Sequence, residues 1–212
     1  MGRRTEWAIV TLILLLAASI RFVGLGQVPP GLAHEEVDNG LIARDILAGR
    51  HAVYFTAAYG HEPLYQYVQA ASVALFGGHW LGLRWPSVAF GLLGIAGTYA
   101  LARRLFGVRV ALLTIAWLAV SFWPLFYARV ALRAITLPFT AALCAYFLFR
   151  AIDPDTGLSP APVSRRKKSA LSGTGRFAGV ADWLLTGLFL GLSVYTYMAA
   201  RVLPFILAAF LV

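Results

Sequence analysis

The residues able to do chemistry cluster in one stretch of this 212-residue chain. All four histidines (His34, His51, His61, His79) and five of the nine acids (Glu35, Glu36, Asp38, Asp45, Glu62) fall within residues 27–83. In HEEVDNGLIARDILAG, after the break at Pro29-Pro30-Gly31, the spacing predicts a short helix. Its acids sit in the first turn, where the helix dipole favours them. Val37, Leu41, Ile42 and Ile46 form its apolar face and Gly49 caps its end. Glu35 and Asp38 are three apart and His34 and Asp38 four apart, so each pair shares a face. Glu36 points about a quarter-turn away from Glu35. A solvated helix start is the plain alternative for these acids. Against it stands a second acidic site, Glu62 in YGHEPLY, where the loop returns toward apolar sequence. Carboxylates meeting at such a place suit general-base work or a divalent metal cation. The candidates are therefore Glu35, Glu36 and Asp38 as catalytic groups, with His34, Asp38, His61 and Glu62 as possible ligands of a metal. Zinc-type ligand spacing is absent.

The elements that hold these residues are written in the composition. The chain is 60% hydrophobic and 13% charged, with a mean hydropathy of +0.75. Charge-free runs cover residues 7–20, 85–102, 110–128, 134–149 and 183–200. Each is at or near the roughly 20 residues that cross a bilayer as a helix. No strand-like alternation is present, so the expected fold class is all-α, a polytopic transmembrane helical bundle. The formal charge of +9 is that of cytoplasmic anchors of membrane helices. No basic stripe interleaved with aromatics supports nucleic-acid binding. Cys144 lies inside an apolar run and reads as packing. The first apolar run continues past Arg21, so it reads as an uncleaved span at about 7–26, with Arg21 snorkelling to the interface.

Segment 63–83 is also uncharged and long enough to cross. The positive-inside rule decides the matter. If it stays outside, 11 of the 18 Lys and Arg face the cytoplasm, and if it crosses, only 6 do. Leu64, Val68, Ala71 and Leu75 recur on one face, with Gln66, Gln69 and Ser72 on another. This is the pattern of an interfacial helix, ended here by Gly77-Gly78. The organisation that follows is a cytoplasmic N-terminus in the cell membrane and an extracytoplasmic loop at 27–83. Spans two and three meet at ALARRLFGVR, a fourth returns to Arg150, and a flexible cytoplasmic linker fills 151–181. A fifth span exits near Met198 and a sixth begins at Val202, with Pro124, Pro138 and Pro204 as potential kinks. The sixth stops half made, so residues 1–212 read as the N-terminal part of one transmembrane domain.

At these residues the sequence resembles the dolichyl-phosphate-mannose protein mannosyltransferase and aminoarabinose transferase superfamily, of the polytopic C-type glycosyltransferase fold. The pieces run in order over residues 29–107: Glu35-Glu36, Ala43 to Gly49, Glu62-Pro63, Leu75-Phe76-Gly77, Arg84-Trp85-Pro86-Ser87 and Ala102 to Gly107. The family usually has Asp-Glu where this chain has Glu35-Glu36. The resemblance implies a base at Glu35 and a donor- or metal-proximal Glu62. It implies inverting transfer of a sugar from a polyprenyl-phosphate donor to an acceptor hydroxyl. The leaving phosphate needs positive charge, and Arg129, Arg133 and Arg201 are arginines that break the positive-inside pattern. Interfacial snorkelling is their plain alternative, and Arg84 reads as structural, orienting the return into span two. The rival function is a transporter or flippase of a lipid-linked or anionic solute. That would call for mid-membrane ionisable residues and repeated broken helices, and the spans show neither.

Overall fold

The computed structural model describes residues 2–57, 60–152 and 173–211, and among them there is no strand beyond one isolated bridge between Phe55 and His61. The helices are α1 (Arg3–Phe22), α2 (His34–Leu47), α3 (Pro63–Phe76), α4 (Trp80–Phe106), α5 (Val108–Val120), α6 (Phe122–Arg129), α7 (Thr136–Ile152), α8 (Gly173–Val194) and α9 (Leu203–Leu211). Two 3-10 turns, Arg133–Ile135 and Met198–Val202, precede α7 and α9.

Helix α1, helix α4 and the stretch Arg133–Ile152 are each long and apolar enough to cross a membrane. The pair α5 and α6, bent by 55°, is together long and apolar enough for a fourth. The apolar part of α8, Gly179–Val194, and the stretch Met198–Phe210 are shorter. The chain is thus an all-α polytopic bundle. Residues 153–172, most of the expected linker, lie outside the described residues, and from Gly173 onward that stretch is helix.

Pro124 sits at the bend of the α5–α6 pair, Pro86 lies inside α4, and Pro138 and Pro204 mark helix starts. Pro124 is the third residue of α6, and its ring and missing N–H break the ladder at Ser121, where α5 stops. Pro138 and Pro204 sit in the first turns of α7 and α9, positions that have no intrahelical N–H bond to lose.

Antiparallel α1 and α4 are tied at both ends. At one end Glu6 is buried and accepts from Tyr99 Oη at 2.5 Å and from the Arg103 guanidinium. At the other, Arg84 Nη1 donates to the carbonyl of Leu25 at 2.8 Å. Between them Val10, Ala17, Ile95, Tyr99, Ala102, Ala111, Ile115 and Ala119 form a core in which small residues let α1, α4 and α5 approach closely. Gly91 does the same for α4 and α6, where an added Cβ would stand 2.8 Å from Ala128 Cβ.

Arg21 does not snorkel. It is fully buried, donating to Ala17 and Ala119 carbonyls at 3.1 and 2.9 Å and to Leu118 at 3.3 Å. The break after α5 leaves C-terminal carbonyls without intrahelical donors, and this guanidinium supplies them.

Loop 23–79 covers one end of the bundle, hereafter the loop face. At 14 residues helix α3 is shorter than a membrane span, and both its ends lie on this face. Leu64 N donates to Tyr195 O at the end of α8, and the Phe76 ring lies 5.7 Å from that of Trp85. Its orientation is inverted relative to a helix on a soluble protein. Gln66, Gln69 and Ser72 are buried with Tyr65 and Val73, while Leu75 is 78% exposed. Polar groups inward and apolar groups outward are what a helix shows when its surroundings are lipid.

Helix α2 ends in a Schellman motif. Gly49 takes φ +89°, its N–H donates to Ile46 O, and Arg50 N–H donates to Asp45 O. Its inward stripe corrects the expected one. Glu36, Asn39, Ile42, Ala43 and Ile46 are buried, whereas Val37 and Leu41 are 42% and 52% exposed. Ile42, Ala43 and Ile46 pack on Ala70, Val73 and Leu83, which seats α2 on α3 and α4.

Candidate active site

Four elements meet at the loop face: the first turn of α2, the residues before α3, and the two 3-10 turns. They bring together a chain of alternating charges. Glu35 Oε1 lies 3.9 Å from Arg133 Nε, Arg133 Nη1 lies 3.1 Å from Glu62 Oε2, and Glu62 Oε1 lies 3.4 Å from Arg201 Nη2. Arg133 is fixed from two further sides. It donates to Gly60 O at 2.7 Å, and its guanidinium stacks 5.5 Å from the centre of the Tyr197 ring. Glu62 and Arg133 are almost enclosed, whereas Glu35 is 44% and Arg201 56% exposed. The pair is buried in the middle and open at both ends.

The buried centre is not saturated. Glu62 Oε2 and Arg133 Nε are both enclosed without a hydrogen-bond partner. For Glu62 Oε2 the 3.1 Å approach of Arg133 is an ion pair whose angles make no hydrogen bond. The charge contact is real, but the lone pairs remain free. Buried polar atoms without partners are rare in native structures and are common where a ligand binds.

The acid pair divides by orientation. Glu36 is fully buried and both its oxygens are occupied. Arg84 Nε and Nη2 bond it at 2.8 and 3.1 Å, Ala33 N–H donates to it at 2.9 Å as in the N3 half of a capping box, and Ala131 N–H reaches it at 2.9 Å. Arg84 completes the knot through the carbonyls of Leu25, Pro29 and Gly31. A carboxylate with this many donors has no lone pair for a substrate proton. Glu36 is therefore a structural anchor that fixes the start of α2 against α4 and against the segment leading to Arg133. The sequence signal was its place three residues after the N-cap, the capping-box position. Asp38 pairs with His34 at 3.1 Å on the outer side of α2, where His34 is 87% exposed.

Two further residues were not singled out from sequence. Asn39 Nδ2 donates to Ala131 O at 2.7 Å, and Gln66 Nε2 donates to Asn39 Oδ1 at 2.7 Å. Gln66 Nε2 also lies 2.9 Å from His61 Nδ1. His61 itself is buried and bridges to Phe55 through its backbone. This network holds the residue next to Glu62 rather than offering ligands.

Among the described residues no three side chains of His, Cys, Asp and Glu come together to hold a metal ion. Glu62 stands between two guanidiniums, whose charge opposes a cation. The donor set does not fit a divalent metal.

Of the three arginines expected to gather round a phosphate, Arg133 and Arg201 meet at Glu62. Arg129 is engaged elsewhere: its guanidinium donates to Ile20 and Arg21 carbonyls at 2.6 and 3.1 Å and to Val28 O at 2.9 Å. Those are carbonyls at and beyond the C-terminal end of α1, so Arg129 acts as their cap.

Residues 60–159 match the family model described as dolichyl-phosphate-mannose-protein mannosyltransferase. The match bears out the family resemblance and implies a membrane glycosyltransferase, mannosyltransferase-like in kind. It takes in Glu62, Arg84 and Arg133 but not Glu35 or Arg201. No curated protein and no solved structure matches the chain.

Proposed function

We propose that the loop face transfers a sugar from a polyprenyl-phosphate donor to an acceptor hydroxyl, with inversion, using Glu35 as general base. The observation that carries this reading is one geometry: an exposed carboxylate, Glu35, faces Arg133, whose neighbour across Glu62 is Arg201. The two guanidiniums hold the donor phosphate, and Arg133, fixed by Gly60 O and Tyr197, is the better oriented of the two. Glu35 takes the acceptor proton as the acceptor oxygen bonds to the anomeric carbon. The bond from that carbon to the phosphate oxygen breaks, its electron pair stays with the phosphate, and a lipid phosphomonoester leaves. Charge that develops on the leaving oxygen is met by donors already in place. The loop face is extracytoplasmic in this reading and the N-terminus cytoplasmic, in the cell membrane. Arg3, Arg4, Arg103, Arg104 and Arg109 at the opposite end support that orientation.

The test is transfer from a polyprenyl-phosphate sugar by Glu35→Gln and Asp38→Asn variants. Glu35→Gln should insert and fold normally yet lose transfer by about 10²–10⁴-fold, the usual contribution of a general base. Asp38→Asn should cost far less. The reverse order of losses would make Asp38 the base, and full activity in both would end the glycosyl-transfer reading.

A further inference from the structure

We infer that Glu62 is a built-in counter-anion that sets the charge of the phosphate site, so that the doubly charged phosphomonoester left after transfer gains less over the singly charged lipid phosphodiester than two bare guanidiniums would give it. The inference rests on the phosphate-site reading of Arg133 and Arg201 given above. Its starting point is that the two cations of the site are not free. The Glu62 carboxylate lies between them, 3.1 Å from Arg133 and 3.4 Å from Arg201, and is itself buried. A buried charge has little water to screen it, so it acts on any anion brought to the same guanidiniums.

The two lipids differ in charge by simple chemistry. A phosphodiester carries one negative charge. A phosphomonoester carries nearly two at neutral pH, its second proton leaving near pH 6. Arg133, Arg201 and Glu62 together carry one net positive charge, which matches the diester. The neighbouring Glu35, at 3.9 Å from Arg133, adds further negative potential and works in the same direction. The monoester meets twice the repulsion from Glu62 that the diester meets, because the Coulomb energy is linear in ligand charge. Two bare guanidiniums would attract the monoester twice as strongly as the diester, and Glu62 cuts that excess in a site that must release its product. Glu62 Oε2 and Arg133 Nε are both enclosed and without a hydrogen-bond partner, so the buried centre has polar capacity that its own residues leave unused.

The experiment measures binding of two probes to the detergent-solubilised chain: a short prenyl phosphate, and the methyl ester of the same prenyl phosphate. In Glu62→Gln the monoester should bind roughly tenfold tighter and the diester about threefold tighter, the ratio following from a repulsion linear in charge. Glu62→Asp, which keeps the charge, should keep the wild-type ratio of the two affinities. Should Glu62→Gln fail to fold, Arg201→Gln at the half-exposed rim serves instead, and there the monoester should weaken about threefold more than the diester. A ratio of affinities unchanged in Glu62→Gln overturns the inference while leaving the phosphate site intact, and one unchanged in Arg201→Gln overturns it by removing a cation that it requires. Binding of both probes unaffected by Arg133→Gln overturns the phosphate site and the inference with it.

Discussion

The Glu36 carboxylate and the Arg84 guanidinium meet twice, at 2.8 and 3.1 Å, with both side chains out of contact with solvent. The pair joins the first turn of α2 to the start of α4, and through the 2.9 Å bond from Ala131 N–H it also holds the segment that ends in Arg133. Glu35 and Arg133 thus owe their facing positions to a residue that touches neither the open rim nor the acceptor.

Glu36→Gln should therefore fail in stability. Removing one partner of a buried ion pair typically costs about 3–5 kcal/mol, because the other charge is left uncompensated. Thermal unfolding in detergent should show a large drop for Glu36→Gln and almost none for Glu35→Gln. Equal unfolding temperatures for the two variants would contradict the division of roles within the acid pair.

Arg129 and Arg133 lie four residues apart and should behave differently. Arg129→Ala strips donors from carbonyls at the end of α1, two of them in partly buried bonds, and an acceptor left unmet costs at most about 1–3 kcal/mol. Its expected signature is lower stability with donor affinity retained. Arg133→Ala should weaken donor binding and, because it leaves the buried Glu62 carboxylate with Arg201 alone, lower stability as well. Apparent donor affinity and unfolding temperature, measured side by side, separate the two.

Orientation is open to labelling from outside intact cells. In a Cys144→Ala background, His51→Cys should react with a membrane-impermeant thiol reagent, since His51 is exposed on the loop face. Lys167→Cys, which lies outside the described residues, should react only after permeabilisation. Labelling of Lys167→Cys in intact cells would invert the proposed topology.

Much of the architecture was legible because lipid imposes length and polarity so strictly. The charge-free runs mark the spans, and the arginine count kept α3 on the loop face, where both its ends are found. What escaped the sequence were inward-facing polar side chains. Glu36 and Asn39 lie on the buried stripe of α2, a position that reading apolar residues as the core assigned to Val37 and Leu41. In a membrane the rule that apolar means inside no longer holds, so Arg21, expected at the interface, is buried against carbonyls freed by the break at Ser121. Arg201 and Arg133 were both visible as candidates, but their convergence on Glu62 depends on two 3-10 turns with no distinctive sequence pattern. Arg129 differs from Arg133 only in what lies beside it, which no local reading of the chain conveys.

The inverted face of α3 bears on how this protein can be handled. A soluble ectodomain can be cut from its anchor and studied in buffer; the loop over residues 27–83 cannot. The polar residues of α3 contact α2 and the start of α4, and its outward surface includes Leu75 and Phe76, 78% and 39% exposed. Excised into water the loop would lose α4 from its inner side and present a greasy surface on the other. The detergent belt around the purified protein must therefore reach the helix that begins beside Glu62, and the choice of amphiphile becomes a variable in any assay of the site.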